Sequence, residues 1–310
     1  MHTLPFTFDE NGLDMATQNL HTGGVSLVGA PNVGKSTLLN RLLGQQLSIV
    51  SRKPQTTRNR ILGIYNDDRG QILLFDTPGY FHGSKALDRY LEEQTLKTCA
   101  GVDAVVMMMD ARSGLPQALL DAVGESRTPV VLAINKIDTL EKPRLLPLIE
   151  KCSQAFPFRE IVPISALTGE GTDELVNAMF KLLPEGEPLY PDDQLSDLPE
   201  RFFVGEIIRE RILHCVHDEV PHGVAVCIDS FHERPDGLVE IDATIVVERD
   251  SHKRIVIGQG GKMLRLIGQG ARERIEKFLG TKVFLKTFVR VEKNWTHSPA
   301  RLNELGYSDF

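Results

Sequence analysis

The feature that most constrains the fold is an eight-residue run at positions 29–36 with the sequence GAPNVGKS. It follows a mainly apolar stretch at 25–28 and leads into a helical pattern with leucines at 38, 39, 42 and 43. Glycines at this spacing let successive backbone N–H groups face one point, and the following helix directs the positive end of its dipole there. The flanking patterns favour a phosphate-binding loop over a chance glycine turn.

Two side chains of this loop have predicted roles toward a nucleoside triphosphate. Lys35 is expected to reach the β- and γ-phosphates, and the Ser36 hydroxyl is expected to bind Mg²⁺. A later apolar strand ends in the sequence Asp-Thr-Pro-Gly, where Asp76 can hold Mg²⁺ through water and the Gly79 N–H can face the γ-phosphate. The sequence therefore predicts a nucleoside triphosphate and Mg²⁺ as ligands.

The base is indicated by the sequence Asn-Lys-Ile-Asp, which follows a buried apolar run at 130–134. Open parallel sheets place ligand contacts at the carboxyl ends of their strands. There Asp138 can accept hydrogen bonds from N1–H and the exocyclic amine of guanine, whereas adenine would leave this carboxylate unpaired at a high cost. Asn135 can bond the base edge and brace the phosphate loop, and the Lys136 stem can lie over the purine face.

A second strand, at 161–164, delivers Ser165, Ala166 and Leu167. The backbone N–H of Ala166 is expected to meet the guanine O6. The NKxD motif is only moderately specific by itself, but in register with a phosphate-binding loop it makes guanine the strongly preferred base.

A polar stretch at 51–60 has the composition of a mobile loop. One threonine within it, with Thr57 favoured over Thr56, is expected to close on Mg²⁺ only while the γ-phosphate is present. The alternative is an ordinary solvated loop. The position of the stretch between the phosphate-loop helix and the DTPG strand favours the switching role.

Prolines and acidic residues mark a boundary at 184–200, which predicts an extended connector. Before it, alternating strand and helix patterns predict a doubly wound α/β sheet. After it, the pattern becomes helix (203–216), strand (224–231), strand (239–248), two short helices and a last strand (283–291).

A GxxG loop, Gly258-Gln259-Gly260-Gly261, lies between the two short helices. Such loops clamp single-stranded RNA in KH domains, because the absence of bulky side chains lets phosphates approach helix N-termini. A lone GxxG is most often a plain turn.

Positions 251–293 carry eleven basic and three acidic side chains within a chain of net charge −7, and this concentration favours a polyanion as ligand.

The composition agrees with a soluble protein of two domains. The chain has 310 residues, of which 41% are hydrophobic and 25% charged, and no apolar run approaches the roughly 18 residues of a membrane span. The acidic start, without lysine or arginine before residue 35, resembles neither a signal nor a transit peptide, which predicts a cytoplasmic location.

The segments GAPNVGKS, TT, DTPG, NKID and SAL occur in the order and spacing of small GTPases. From about Thr22 to the C-terminus the chain resembles the bacterial Era GTPases, including positions 189–197 and 293–295. The resemblance implies a doubly wound α/β P-loop G domain followed by an α+β type II KH domain. The implied limits are a flexible N-terminal extension (1–21), a G domain (22–183), a linker (184–200) and a KH domain with a C-terminal tail (201–310).

The same resemblance implies a monomeric enzyme that hydrolyses GTP to GDP and phosphate, binds the 3′ end of 16S ribosomal RNA and acts in assembly and maturation of the 30S ribosomal subunit. Peripheral association with the cytoplasmic face of the inner membrane is a further family property. Two alternatives stay open: a related translation or tRNA-modification GTPase, and an RNA-binding module whose nucleotide site only senses guanine nucleotide.

The predicted nucleotide-binding residues are Gly29, Ala30, Pro31, Asn32, Val33, Gly34, Lys35, Ser36, Thr37, Asp76, Thr77, Pro78, Gly79, Asn135, Lys136, Asp138, Ser165, Ala166 and Leu167. The predicted catalytic residues are Lys35, Thr57, Asp76 and Gly79, and the predicted Mg²⁺ ligands are Ser36, Thr57 and Asp76. The predicted RNA-binding residues are Ile257, Gly258, Gln259, Gly260, Gly261, Lys262 and Arg265.

One position departs from better-known GTPases. Tyr80 stands where many of them keep a glutamine that orients the attacking water, so intrinsic hydrolysis is expected to be slow. In the wider group, an asparagine at the position of Asn32 is associated with K⁺ near the phosphates, which makes K⁺ a candidate cofactor. Arg52, Arg58 and Arg60 are near enough to the mobile loop to be considered as a catalytic arginine.

Replacing Asp138 by asparagine tests the choice of base. The amide can donate to the oxygen of xanthine where the carboxylate accepted from guanine, so affinity should move from GTP toward xanthosine triphosphate. Loss of the charge-assisted pair should cost about 3 kcal/mol, or about a hundredfold in GTP affinity. Titrations with both nucleotides measure the change, and an unaltered GTP affinity would remove Asp138 from the base pocket.

Overall fold

The computed structural model describes residues 19–51, 53, 56–80, 85–124, 127–216 and 220–307. Most of the predicted N-terminal extension, the loop positions Arg52, Pro54 and Gln55, and the end of the predicted C-terminal tail lie outside the described residues. The first strand begins at His21, the last residue of the predicted extension.

The described residues of the N-terminal half form a six-stranded sheet with the order β2-β3-β1-β4-β5-β6, in which only the β2–β3 pair is antiparallel. The strands are β1 (His21–Gly29), β2 (Ile61–Asp67), β3 (Gly70–Asp76), β4 (Ala104–Asp110), β5 (Val130–Asn135) and β6 (Glu160–Pro163), and the helices are α1 (Lys35–Leu43), α2 (Ala86–Ala100), α3 (Gln117–Gly124), α4 (Leu145–Ala155) and α5 (Thr172–Phe180).

Both faces of this sheet are buried, as near-continuous apolar strands require. On β4, Val106 and Met108 belong to the cluster that includes α1 and α5, whereas Val105 and Met107 belong to the cluster that includes α2, α3 and α4. Helices therefore cover both faces, which confirms the predicted doubly wound architecture.

The strand order also gathers the predicted motifs. Strands β2 and β3 lie on one side of β1, and β4 to β6 lie on the other, so the order reverses about β1. Ligands bind at such a switch point, outside the carboxyl ends of the strands. The phosphate loop follows β1, Asp76 ends β3 and Asn135 ends β5, so the three motifs meet at one edge.

The C-terminal half has the predicted helix–strand–strand–helix–helix–strand order. Its elements are α6 (Glu200–Cys215), β7 (Val224–Glu233), β8 (Val239–Val247), α7 (Asp250–Ile257), α8 (Lys262–Leu279) and β9 (Val283–Val291), followed by α9 (Pro299–Glu304). Strand β8 is antiparallel to β7 and parallel to β9, and α6 and α8 share a core with this sheet. The prediction of two short helices was wrong for α8, which has 18 residues because its amphipathic pattern continues to Leu279.

The connector contains no helix before Glu200 and has a turn at 192–193, and it is fixed to the first domain. The buried side chain of Gln71 accepts the N–H groups of Leu189 and Tyr190 at 2.8 and 3.0 Å, and it donates to the Tyr190 carbonyl at 2.9 Å. Farther along, the Ser196 hydroxyl donates to the Leu62 carbonyl at 2.6 Å. These bonds hold the connector along β2 and β3.

The two halves also meet through a separate apolar cluster. Leu87 and Leu91 of α2 pack with Trp295, Leu302 and Tyr307 near the C-terminus. Among the helices that the structure describes, none combines the length and the hydropathy that a membrane span requires.

Candidate nucleotide site and nucleic-acid interface

The phosphate loop needs glycine at position 34 for two reasons. Gly34 has a φ of 110°, and a Cβ there would lie 2.2 Å from Nδ2 of Asn135. That amide donates to the Val33 carbonyl at 2.8 Å, and its oxygen accepts the Ala166 N–H at 2.9 Å. Asn135 therefore ties the phosphate loop to the SAL segment, and the N–H predicted to meet guanine O6 donates to Asn135 in this structure.

Lys35 is held inside the loop. Its ammonium donates to the carbonyls of Gly29 and Ala30 at 3.1 and 3.3 Å. Burial lowers the pKa of Lys35 to about 8, although the charge of Asp76 acts in the opposite direction. A buried cation within a glycine-bounded loop at a helix N-terminus is suited to bind the bridging region of a polyphosphate.

Hydroxyl groups from separate segments converge on Asp76, which is fully buried. Its Oδ2 accepts from the hydroxyls of Ser36 and Ser48, both at 2.7 Å. The Thr57 hydroxyl lies 2.9 Å from the Ser36 hydroxyl. The predicted ligands Ser36, Thr57 and Asp76 are thus within hydrogen-bonding distance of one another, although they are far apart in sequence.

These residues fit Mg²⁺. Burial raises the pKa of Asp76, while the charge of Lys35 and the hydroxyls of Ser48 and Ser36 oppose that rise. The Oδ1 atom of Asp76 is buried and has no hydrogen-bond partner in the described part of the chain. A buried carboxylate oxygen beside two hydroxyls is the hard oxygen environment that Mg²⁺ prefers.

The base side of the site is similarly ordered. The Ser165 hydroxyl donates to Oδ1 of Asp138 at 2.6 Å. Lys136 has a φ of 67°, and its ammonium lies 2.9 Å from the Asp110 carboxylate and 2.8 Å from the Asn32 carbonyl. Burial raises the pKa of Asp110, but hydrogen bonds from Arg112 and Lys136 outweigh it and lower the value to about 2.

A cavity of about 730 Å³ joins the phosphate and base sides and has the size of a small-ligand pocket. The predicted residues that line it are Pro31, Asn32, Gly34, Lys35, Ser36, Thr37, Thr57, Gly79, Asn135, Lys136, Asp138, Ala166 and Leu167. The predicted residues that do not line it are Gly29, Ala30, Val33, Asp76, Thr77, Pro78 and Ser165. Thr77 instead donates to the Leu27 carbonyl at 2.7 Å, a contact within the fold.

Sequence reasoning missed several residues that do not line this cavity but hold the segments around it. Besides Ser48, Asn40 accepts the N–H groups of Leu47 and Ser48, both at 2.9 Å, and fixes the segment after α1. Arg41 donates to the carbonyls of Ala166 and Leu167. None of these residues belongs to a recognised spacing, so only the folded chain reveals them.

Two of the suggested catalytic arginines, Arg58 and Arg60, make contacts elsewhere. The Arg58 guanidinium is buried and donates to carbonyls of the C-terminal half, while Arg60 lies over the Phe75 ring at 4.9 Å. Considering Arg58 as a phosphate-facing arginine was therefore wrong for this structure. Tyr80 is also engaged elsewhere, since its side chain hydrogen-bonds with Glu92 of α2.

The GxxG loop joins α7 to α8 through three glycines with positive φ: Gly258 at 71°, Gly260 at 59° and Gly261 at 76°. A Cβ at Gly260 or Gly261 would meet nothing within 4 Å, so the space above the loop is open. Gly261 caps α8 without a side chain, which leaves the first N–H groups of an 18-residue helix facing this space.

Exposed cations surround the loop. Arg254, Lys262 and Arg265 are exposed and have no ion-pair partner among the described residues. In contrast, Arg274 forms an ion pair with the buried Glu210 of α6. Three of the eleven basic side chains counted in the sequence therefore lie exposed beside the GxxG loop, and at least one of the eleven is taken up by an ion pair within the fold.

Comparisons with known proteins agree with both halves. Residues 24–136 match the family described as 50S ribosome-binding GTPase, and residues 219–296 match the KH domain. GTPase Era of Geobacter metallireducens is 50% identical over 298 residues, covering 95% of this chain and all of the relative. GTPase Era of Geotalea daltonii is 48% identical over 296 residues, covering 94% of this chain and all of that protein.

The chain belongs to the Era family of GTPases. Two solved Era structures align with it at a TM-score of 0.90 and 38% identity, each covering 94% of this chain and all of the other. One is a variant of Aquifex aeolicus Era bound to GDP·AlF4⁻, and the other is Era in complex with MgGDPNP and nucleotides 1506–1542 of 16S ribosomal RNA.

Replacing Ser48 by alanine tests whether this serine supports the Asp76 site. Loss of one hydrogen bond to a buried carboxylate should raise the pKa of Asp76 further and weaken Mg²⁺ binding. Such bonds contribute roughly 1.5 to 3 kcal/mol, so we expect a loss of at least about tenfold in Mg²⁺ affinity. Calorimetric Mg²⁺ titration of the GDP-bound protein measures it, with Ser153→Ala on the exposed face of α4 as the control. Equal affinities in both variants would contradict the role.

Proposed function

We propose that this Era family member hydrolyses GTP to GDP and phosphate and binds the 3′ end of 16S ribosomal RNA during assembly and maturation of the 30S subunit. The observation that carries the proposal is that Lys35, Ser36 and Asp138 all line one cavity at the switch point of the sheet. Phosphate, metal and guanine contacts therefore converge as one bound GTP requires.

The nucleotide is held at both ends. Lys35 and the backbone N–H groups of the phosphate loop neutralise the phosphates, and Ser165 orients the Asp138 carboxylate toward the base. Lys136 is fixed by Asp110 and the Asn32 carbonyl, and its stem would lie over the purine face. An adenine nucleotide would leave the oriented carboxylate without its donors.

Hydrolysis would depend on the residues that surround the γ-phosphate. Ser36 and Thr57 would hold Mg²⁺ together with Asp76, and the bound metal would supply charge neutralisation at the β- and γ-phosphate oxygens. Gly79 would offer its N–H to the γ-phosphate. Because Tyr80 is engaged with Glu92, it does not orient the attacking water, so the reaction should be slow without further help.

We infer that the RNA contacts lie at the GxxG loop. Residues 257–262 and Arg265 combine open backbone, a helix N-terminus and exposed positive charge. The Era complex with nucleotides 1506–1542 of 16S ribosomal RNA supports the choice of RNA.

Several finer points remain predictions. They are the limits of the two domains, the roles of individual site residues, the use of K⁺, the monomeric state, the cytoplasmic location and the peripheral association with a membrane. The match of the KH family from residue 219 is compatible with a second domain that starts near 201.

Phosphate release with and without an RNA oligonucleotide matching the 3′ end of 16S ribosomal RNA tests the function. We expect slow but measurable release of phosphate from GTP and none from ATP. Lys35→Ala, which removes the cation from the phosphates, should abolish release. If wild-type protein binds GTP and the RNA but releases no phosphate in either arm, the nucleotide site is a sensor and the enzymatic proposal fails.

Changing Gln259 and Gly260 together to aspartate tests the RNA surface. Two negative charges should repel RNA phosphates, and affinity should fall by at least about a hundredfold while GTP hydrolysis persists. Both positions are exposed, and aspartate tolerates a positive φ better than most residues, so the fold should survive.

The matched control changes the same two positions to asparagine, which has the same size without the charge. Circular dichroism checks the fold, and titrations at several salt concentrations give the electrostatic slope. Should the folded aspartate variant bind RNA as tightly as the asparagine variant, the GxxG loop is only a turn.

A further inference from the structure

Arg58 follows Thr57 directly, yet its side chain lies in the C-terminal half. The guanidinium is 1% exposed and donates to the carbonyls of Val224 at 2.6 Å and Pro221 at 3.2 Å. Its centre lies 5.7 Å from the Trp295 ring and 5.9 Å from the Tyr307 ring. We call this set of carbonyls and rings the Arg58 seat.

The geometry of the seat suits a planar cation. The rings of Trp295 and Tyr307 are stacked at an interplanar angle of 12°, and the Tyr307 hydroxyl accepts from Arg58 at 3.3 Å. A guanidinium offers several donors in one plane and interacts favourably with aromatic faces, whereas an ammonium presents a single point charge. A buried cation that loses its acceptors is energetically costly. Arg58 should therefore leave the seat only when the whole segment that carries Thr57 moves with it.

Other contacts hold the same segment against α6. Arg209 of α6 is buried and donates to the Thr56 carbonyl. Lys53 donates to the carbonyls of Leu213 and Val216 at the C-terminal end of α6, where a cation is favoured by the helix dipole. Residues on both sides of Thr57 are therefore bound to the KH domain.

We propose that Arg58 is a positioning residue for GTP hydrolysis: the seat in the KH domain holds Arg58, and Arg58 holds the Thr57 hydroxyl beside Ser36 and Asp76. This rests on the proposed function, because Thr57 is assigned there as a Mg²⁺ ligand. The KH domain would then complete the nucleotide site through residues that touch neither nucleotide nor metal.

Arg58→Ala tests the inference, with Arg60→Ala as a matched control. Arg60 lies two positions away, is exposed and stacks on Phe75, so the control removes the same charge from the same segment. We expect the Mg²⁺ concentration for half-maximal hydrolysis to rise about tenfold in Arg58→Ala, as for loss of a partner that orients a metal ligand. The rate at saturating Mg²⁺ should recover, and Arg60→Ala should match wild type.

A substitution on the KH domain side of the contact should raise the Mg²⁺ requirement as well. Tyr307→Leu removes the ring face and should raise the Mg²⁺ requirement in the same direction, whereas Tyr307→Phe keeps the ring and should restore values near wild type. A general loss of stability would change the maximal rate or the melting temperature and would leave the Mg²⁺ midpoint in place.

Trp295 provides a readout that does not depend on turnover, because it is the chain's single tryptophan. If the seat and the metal site are coupled, each must respond to the other. Adding Mg²⁺ with a non-hydrolysable GTP analogue should change Trp295 emission in wild type and in Arg60→Ala, and the change should be lost in Arg58→Ala.

Two failures are distinguishable. No phosphate release by the wild-type protein would overturn the proposed function. Normal release by the wild type, together with an unaltered Mg²⁺ midpoint and an unaltered emission response in Arg58→Ala, would overturn the positioning role alone.

Discussion

A carboxylate buried at the end of β3 is the constraint on which the rest of the structure depends. Because Asp76 is buried away from bulk water, its carboxylate must be stabilised by hydrogen-bond donors from within the chain. Ser36 from α1 and Ser48 from the following segment provide hydrogen bonds, and Thr57 lies beside Ser36. Satisfying one group therefore fixes the relative positions of a helix, a strand and two loops.

Much of the fold and of the nucleotide site could be predicted because the information is local. The glycines around Lys35 are dictated by backbone geometry, and Gly34 has the positive φ that its position in the loop requires. Apolar strands that are buried on both faces predict the doubly wound sheet. Because the strands that Asp76 and Asn135 end are parallel, the two residues lie at the same edge of that sheet. Family resemblance supplied the KH assignment, and the order of elements confirmed it.

The remaining features depend on contacts between distant segments, which no spacing in the chain specifies. Ser48 looks like any serine between apolar residues, and Gln71 looks like a solvent-facing position on a strand, although both are buried. Arg58 was the least predictable, since arginine in a polar loop ordinarily faces water. Its burial depends on aromatic side chains more than two hundred positions later, which the loop sequence cannot encode.

The bonds made by Gln71 and Ser196 fix most of the connector to the first domain, so only a short part of it is free to move. The last of these bonds is made by Ser196, and α6 begins at Glu200, so three residues join the hydrogen-bonded part of the connector to α6. Three extended residues span about 10 Å. While those bonds hold, this short connection keeps the start of α6 close to β2, so the KH domain stays beside the first domain even where its other contacts with that domain open.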